Sequence, residues 1–319
     1  TYQWLVLFVA WLGWVFDAMD ATIYAIVLHP ALHELLHSGA TGGEVTAEQI
    51  GWYGGIVFSI FLIGWAIGGI GFGLAADYFG RTKTLIATIL IYAVFTGMAA
   101  LAQEWWHLAI YRFLTALGVG GEWAAGAAIV AETWPEEKRS RAAGILQSAW
   151  AFGFFIAAGC NLLLRDSGWR MLFLIGMLPA FVALLVRRWV KEPERWVQVH
   201  EREPQSARDT FRHLVELFRP SLRRDTLIGS TLAFVAVFGV WGATNWAPTL
   251  IRAMPDLQGQ DSATLTQNVS YAIMALNAGA LFGYLGFGPL AERFGRRPVF
   301  GLMCLGSLIL LPATYFVPH

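Results

Sequence analysis

Gly73-Leu74-Ala75-Ala76-Asp77-Tyr78-Phe79-Gly80-Arg81-Thr82-Lys83 and Gly288-Pro289-Leu290-Ala291-Glu292-Arg293-Phe294-Gly295-Arg296-Arg297 are two copies of one pattern, Gly-x-x-x-acid-x-Phe-Gly-Arg, 215 residues apart. Each copy closes one unbroken apolar block and precedes another. The blocks fall at residues 4–28, 50–75, 84–102, 107–131, 142–164, 169–189, 227–251, 269–290 and 298–317. Each has roughly the 20 residues that a helix needs to cross a hydrocarbon core of about 30 Å. Helices rather than barrel strands follow from that length, since a helix satisfies its own backbone in lipid and barrel strands are about ten alternating residues. The fold expected is an all-α polytopic bundle of nine spans. A loop repeated after the second and eighth spans points to a duplicated six-span unit. The division expected is a six-span bundle over residues 1–189, a cytoplasmic linker over 190–226 and a partial second bundle of three spans over 227–319.

Composition agrees. Of 319 residues 56% are hydrophobic and only 14% charged, against roughly a quarter charged in soluble domains. That excludes disorder, collagen-like chains and most soluble enzymes. Net charge is zero, so bulk electrostatics point to no nucleic acid or other charged partner. The two cysteines, Cys160 and Cys304, sit inside apolar blocks and read as small fillers rather than a disulfide scaffold. The first block lacks a signal-peptide cleavage pattern and reads as a retained span. Eighteen of the 22 basic residues fall in the loops after spans two, four, six and eight. By the positive-inside rule those loops are cytoplasmic and so is the N-terminus, in a multi-pass protein of the cell membrane.

The repeated loop has the chemistry of a latch. An acid at a helix end beside a glycine turn can approach a neighbouring helix N-terminus, whose dipole favours negative charge. The arginine after the turn can pair with a carboxylate on an adjacent helix. Gly73, Asp77, Gly80 and Arg81 form the first copy, and Gly288, Glu292, Gly295 and Arg296 the second. Glu132, at the exit of the fourth span, reads as a partner for Arg81 or Arg141. The bland alternative is a basic loop that only fixes topology.

This loop resembles the signature loop of the major facilitator superfamily, and the resemblance covers essentially the whole chain. Tyr78 and Glu292 depart from the family pattern, which prefers a basic residue and an aspartate there. Further segments resemble the sugar porters and the sialate or organic-acid proton symporters. These are Arg112-Phe113-Leu114-Thr115-Ala116-Leu117-Gly118-Val119-Gly120-Gly121-Glu122 in the fourth span, Ala131-Glu132-Thr133-Trp134-Pro135 at its exit, and Lys191-Glu192-Pro193-Glu194-Arg195-Trp196 after the sixth. In the seventh, the paired glutamines of sugar porters give way to Gly239-Val240-Trp241-Gly242-Ala243-Thr244-Asn245-Trp246-Ala247-Pro248, which looks more like the sialate-type symporters. The resemblance implies twelve spans, of which this chain offers nine. It implies alternating access, no cofactor, and a small organic anion such as a sugar acid or monocarboxylate as substrate beside protons and the lipid bilayer. A neutral sugar carried with a proton is the alternative.

Ionisable residues inside spans are costly, roughly 2.5–3.5 kcal/mol each, so each is a functional candidate. Four stand out: Asp17, Asp20, Arg112 and Glu122. Asp17 and Asp20 share a helical face with Tyr24. At about 1.5 Å per residue, Asp20 lies about 12 Å below the outer end of its span and Arg112 about 8 Å below the outer end of the fourth, which matches Arg112 to Asp20 better than to Asp17. The resemblance places Asp20 at the sugar porters' proton site, beside an arginine matching Arg112. Such a pair either exchanges a proton or is a permanent bolt between two helices. Glu122 reads as either a second proton site or a partner for another polar group. Gln147 matches a substrate-binding glutamine of sugar porters, and Tyr24, Trp241, Asn245 and Asn277 are further candidate substrate contacts.

One motif points elsewhere. His33-Glu34-Leu35-Leu36-His37 is a literal HExxH, the zinc metalloprotease signature, with His29 one turn earlier. It lies just past the first span with no evident third ligand, so the expectation is no enzyme, no metal and a plain outer-loop helix.

Overall fold

The computed structural model describes the backbone of residues 2–37, 45–164, 167–194, 196–198, 212, 215–252 and 262–316. Within these, the side chains of residues 47, 161, 162, 184, 240–252, 262–270, 272, 273 and 311–316 lie outside the described set. All regular structure among the described residues is helical: α1 (Tyr2–His37), α2 (Ala47–Phe79), α3 (Arg81–Ala99), α4 (Trp105–Thr133), α5 (Arg139–Leu163), α6 (Trp169–Ile175), α7 (Ala180–Trp189), α8 (Pro220–Arg252), α9 (Ser262–Phe294) and α10 (Arg296–Phe316). Seven segments among the described residues are long and apolar enough to cross a membrane, with α6 and α7 counted together as one. The other two expected spans fall on α8 and α10.

Local sequence explains the ends. Thr46 and Gln49 cap α2 reciprocally, the Gln49 N–H donating to the Thr46 hydroxyl at 3.2 Å and the Thr46 N–H to Gln49 Oε1 at 3.0 Å. Gly80 separates α2 from α3 at φ 111°, and Gly295 separates α9 from α10 at φ 88°. Both are backbone conformations that L side chains rarely adopt, so each copy of the repeated loop needs its glycine. Between α4 and α5 lies a single 3₁₀ turn, Glu136–Lys138, after Pro135.

Two spans differ from expectation. The first does not stop at residue 28 but runs through Pro30 to His37. Ala31, Leu32 and Leu35 continue its buried stripe, and that packing holds the last turns although Pro30 lacks an N–H. The sixth span is not one helix: residues 176–179 turn with i→i+3 bonds, Met177 N–H to Leu174 C=O at 3.1 Å and Leu178 N–H to Ile175 C=O at 2.9 Å. The break falls at Gly176-Met177-Leu178-Pro179, where a glycine and a proline both disfavour continuation.

The chain forms two compact units, Thr1–Gln205 and Ser206–His319. In the first, polarity is inverted relative to a soluble domain. Asp17, Asp20, Arg112 and Glu122 are all at most 2% exposed, while Phe8, Ile67 and Ile70 are more than half exposed. Apolar side chains facing outward and charges facing inward is the distribution expected in lipid. Helices α2 and α4 approach through glycines: a Cβ at Gly64 would lie 2.7 Å from the Phe113 carbonyl oxygen, so small residues set that spacing. The second unit contains α8, α9 and α10, with α9 passing through Pro289 to the repeated glycine turn.

Candidate functional site

Three helices of the first unit converge on Asp20. Arg112 of α4 donates through Nη1 to both Asp20 carboxylate oxygens, at 3.0 Å to Oδ1 and 2.8 Å to Oδ2. Thr96 of α3 donates its hydroxyl to Asp20 Oδ1 at 3.0 Å and lies 3.5 Å from the Thr115 hydroxyl. Arg112 is fully buried. Its guanidinium is sandwiched between the rings of Tyr24 and Phe61, each centroid 4.6 Å from Cζ. Charge-assisted bonds and two aromatic faces compensate a cation that would otherwise be untenable at this depth. Among the described residues, Nε and Nη2 of Arg112 have no hydrogen-bond partner. The pair is neutral overall, and its guanidinium keeps two unused donors.

Asp17 and Glu122 do not join the ion pair. Both are buried, and neither makes a hydrogen bond among the described residues. Beside them Trp14 stacks on Trp123, centroids 4.1 Å apart and planes 11° apart. Gln147 of α5 is half-buried and lines a cavity of about 280 Å³ together with Trp14, Val130, Ala131, Arg139 and Leu146. Asn277 lies half-buried on α9. The side chains of Trp241 and Asn245 lie outside the described residues, on the backbone of α8.

The first copy of the repeated loop makes a network. Arg81 pairs with Asp77 and reaches Glu132 Oε1 through Nε at 3.2 Å and Nη2 at 3.1 Å. The acid on the neighbouring helix N-terminus is not Asp77, which corrects the expectation. Glu192, beyond the sixth span, accepts from the Thr82 N–H at 3.1 Å and the Lys83 N–H at 3.2 Å, satisfying two orphan donors at the start of α3 and opposing its dipole. Asp77 is instead turned toward Arg81, one helical turn away in sequence, where it finds a full charge rather than a partial one. Trp196 donates its indole N–H to the Asp77 carbonyl at 2.9 Å, and Tyr2 hydrogen-bonds the backbone of Lys191. A Cβ at Gly80 would lie 2.8 Å from the Glu192 carboxyl carbon, so a side chain there would push Glu192 away from the α3 amides. Gly73 faces Ala124 of α4, and Arg141 is exposed at the start of α5. In the second unit, Gly288 is buried, Glu292 and Arg296 are exposed, and the Gly295 N–H bonds the Ala291 carbonyl at 3.0 Å.

The HExxH segment is structural here. Glu34 accepts from Trp169 Nε1 at 2.7 Å and Arg170 Nη1 at 2.5 Å, tying the end of α1 to the start of α6. His29, His33 and His37 form an exposed ladder with ring centroids 6.5 Å and 6.1 Å apart. Among the described residues no three metal-binding side chains cluster.

Sequence reasoning missed Thr96, Thr115 and Phe61 around the ion pair, and Glu192 in the loop network. Glu192 had a signal, its place in Lys191-Glu192-Pro193; the threonines and the phenylalanine had none.

Comparison with known proteins agrees with this architecture. A family model described as the Major Facilitator Superfamily matches residues 10–319. A putative metabolite transport protein of Haemophilus influenzae is 34% identical over 97% of this chain and 72% of its own length. The sialic acid transporter NanX of Escherichia coli is 30% identical over 98% of this chain and 70% of its own. Among solved structures, the proton:xylose symporter XylE superposes with a TM-score of 0.69 at 20% identity, covering 93% of this chain and 70% of XylE.

Proposed function

We propose, for a chain that belongs to the Major Facilitator Superfamily and is a multi-pass membrane transporter rather than an enzyme, that it moves a small organic anion, a sugar acid or monocarboxylate, together with protons by alternating access. The observation that carries the reading is the buried Asp20–Arg112 pair with its unused guanidinium donors. While Asp20 is ionised, Arg112 and Thr96 satisfy it. When Asp20 takes a proton, the Arg112 charge is released from its partner, and a buried cation without a counter-ion is strongly disfavoured. An anionic substrate supplies that counter-ion. Proton and anion then favour each other's binding, which is what symport requires. Arg112 is the basic residue placed well inside a span read from the sequence, whereas Arg170, Arg187 and Arg188 lie at the two ends of the sixth. The 30% identity to a sialic acid transporter supports an acidic substrate.

A neutral sugar is the second reading, supported by the cavity that Gln147 and Trp14 both line. The division into residues 1–189, 190–226 and 227–319, the cytoplasmic N-terminus, and latch roles for Asp77, Gly80, Arg81, Glu132, Arg141 and the second-copy residues belong to the same proposal. They rest on the basic-residue asymmetry, the repeated turn and the network at the start of α3.

The test is uptake into proteoliposomes of labelled N-acetylneuraminate and a panel of monocarboxylates, with and without an imposed proton gradient. Accumulation of one acid driven by the gradient, and lost in Asp20→Asn, is the expected result. Uptake of an acid that ignores the gradient in the unmodified protein overturns proton coupling, and uptake of neutral sugars alone overturns the anion.

A further inference from the structure

The mechanism above leaves two buried carboxyls idle. Asp17 is 2% exposed and Glu122 1% exposed, and all four of their side-chain oxygens are without a hydrogen-bond partner among the described residues. They lie together. Glu122 Oε1 and its carboxyl carbon occupy the space beside Gly13 where a side chain would stand. Gly13 and Asp17 are four residues apart on α1, on one face and about 5–6 Å from each other. Glu122 and Asp20, the latter three residues along the same helix, are the charged neighbours of Asp17.

A further group points into the same space. Tyr92 of α3 is fully buried, its hydroxyl has no hydrogen-bond partner among the described residues, and Glu122, Asp17 and Asp20 are its acidic neighbours. The indoles of Trp14 and Trp123 stack beside the carboxyls, and the Trp123 N–H faces Asp17. The ionisable groups facing the cluster are therefore Asp20 and Tyr24 from α1, Tyr92 from α3 and Arg112 from α4, with Phe61 and Trp65 from α2 and Trp150 from α5 supplying uncharged walls. The Arg112 cation is bound to Asp20, so it does not neutralise this pair.

Two carboxylates this close and this dry cannot both be ionised. One proton held between them removes the repulsion and gives one carboxyl a donor for the other. We propose that Asp17 and Glu122 share one exchangeable proton, forming a second proton site on the seam of α1 and α4, distinct from Asp20–Arg112. Its part in transport rests on the proton-coupled reading above: it adds a second proton to the cycle, which would make uptake of a monoanion electrogenic. The existence of the shared proton does not depend on that reading.

The test needs no substrate. Infrared difference spectra of the purified protein in nanodiscs, recorded across a pH series, display the carbonyl stretch of protonated carboxyls. The expected result is a pH-dependent carboxyl band that Glu122→Gln removes, Asp17→Asn shifts and Asp20→Asn leaves in place. Glu122→Asp keeps a carboxyl but draws it back from Gly13; it should shift the band, which keeps the test decisive if the glutamine variant does not fold. Spectra of all four variants matching the unmodified protein overturn the proposal. So do two bands lost independently, one per residue, which would mean isolated carboxyls. A band abolished by exchanging choline for sodium at constant pH also overturns it, in favour of a metal cation. If the band behaves as expected while uptake ignores the proton gradient, the transport reading fails and the shared proton stands.

Discussion

Replacing Arg112 by methionine exposes the energetics of the ion pair. The substitution removes both Nη1 bonds to Asp20, at 3.0 Å and 2.8 Å, and leaves the Thr96 hydroxyl at 3.0 Å as its remaining donor. A buried carboxylate stripped of its cation costs about 3–5 kcal/mol. The carboxyl can escape by taking a proton from water. For an ordinary aspartate of pKa about 3.9 that costs about 4 kcal/mol at pH 7, at about 1.36 kcal/mol per pH unit. The penalty at pH 7 is thus capped at about 4 kcal/mol. The variant then binds a proton on folding that its unfolded form lacks, so its deficit shrinks as pH falls, by about 1.4 kcal/mol per unit down to the ordinary range. Loss of the Tyr24 and Phe61 sandwich adds roughly 1–2 kcal/mol per ring, which is independent of pH. Adding Asp20→Asn to the methionine variant should recover the pH-dependent part and leave the aromatic part. The assay is reversible unfolding in mixed micelles at pH 5, 6 and 7 for both single variants and the double variant. Additivity within about 0.5 kcal/mol, or a penalty indifferent to pH, would refute the view that the carboxylate is held ionised by Arg112.

In proteoliposomes, Asp20→Asn should abolish accumulation against a gradient yet retain exchange of substrate across the membrane, and Arg112→Ala should lose both. Gly80→Val forces a side chain onto φ 111° and into Glu192; it should destabilise the loop by about 1–3 kcal/mol and slow exchange, whereas Glu192→Gln should lower stability by about 1 kcal/mol, both read by thermal melting beside exchange rates. With Cys160 and Cys304 replaced by alanine, a cysteine at exposed Glu48 should react with impermeant maleimide in intact cells, and one at exposed Glu137 only after permeabilisation; labelling at Glu137 alone from outside would reverse the orientation, and labelling at both would overturn it. The pair Asp20→Asn and Glu132→Gln should be non-additive in exchange rate, and independence of the two would separate the proton site from the latch.

How much could be read beforehand depended on the range of the interaction. Spans and the repeated turn were legible because apolar runs and a glycine between an acid and an arginine are local patterns. The Arg112 and Asp20 match was legible because helical rise converts position into depth. The end of α1 was misjudged because the unbroken apolar block stops at residue 28, while Leu32 and Leu35 still bury against the bundle. The break in the sixth span was present in Gly176-Met177-Leu178-Pro179 but masked by its unbroken hydrophobicity. Glu192 is about 110 residues from the amides it caps, and no periodicity reports such a contact. Thr96 and Phe61 look like any small polar or aromatic residue in a span until the guanidinium and carboxylate are placed.

The Asp20–Arg112 pair and the loop network share their helices. Thr96 stands on α3, whose first turn is held by Glu192 and whose first residue, Arg81, bridges Asp77 and Glu132. Arg112 stands on α4, about 30 Å along the helix from Glu132 at 1.5 Å per residue. A helix of that length transmits an axial shift or a rotation with little loss, whereas its side chains reach only a few ångströms. Separation of Asp20 from Arg112 therefore has two outlets. Either the side chains rearrange locally, or α3 and α4 move against α1 and pull on Arg81, Glu132 and the Glu192 cap. The aromatic sandwich favours the second outlet, because Tyr24 and Phe61 confine the guanidinium on both faces and leave its side chain little room to swing alone. Under the proposed mechanism the cap would set a threshold: Glu192 holds the α3 amides, and protonation of Asp20 would remove the Arg112 bond that ties α4 to α1.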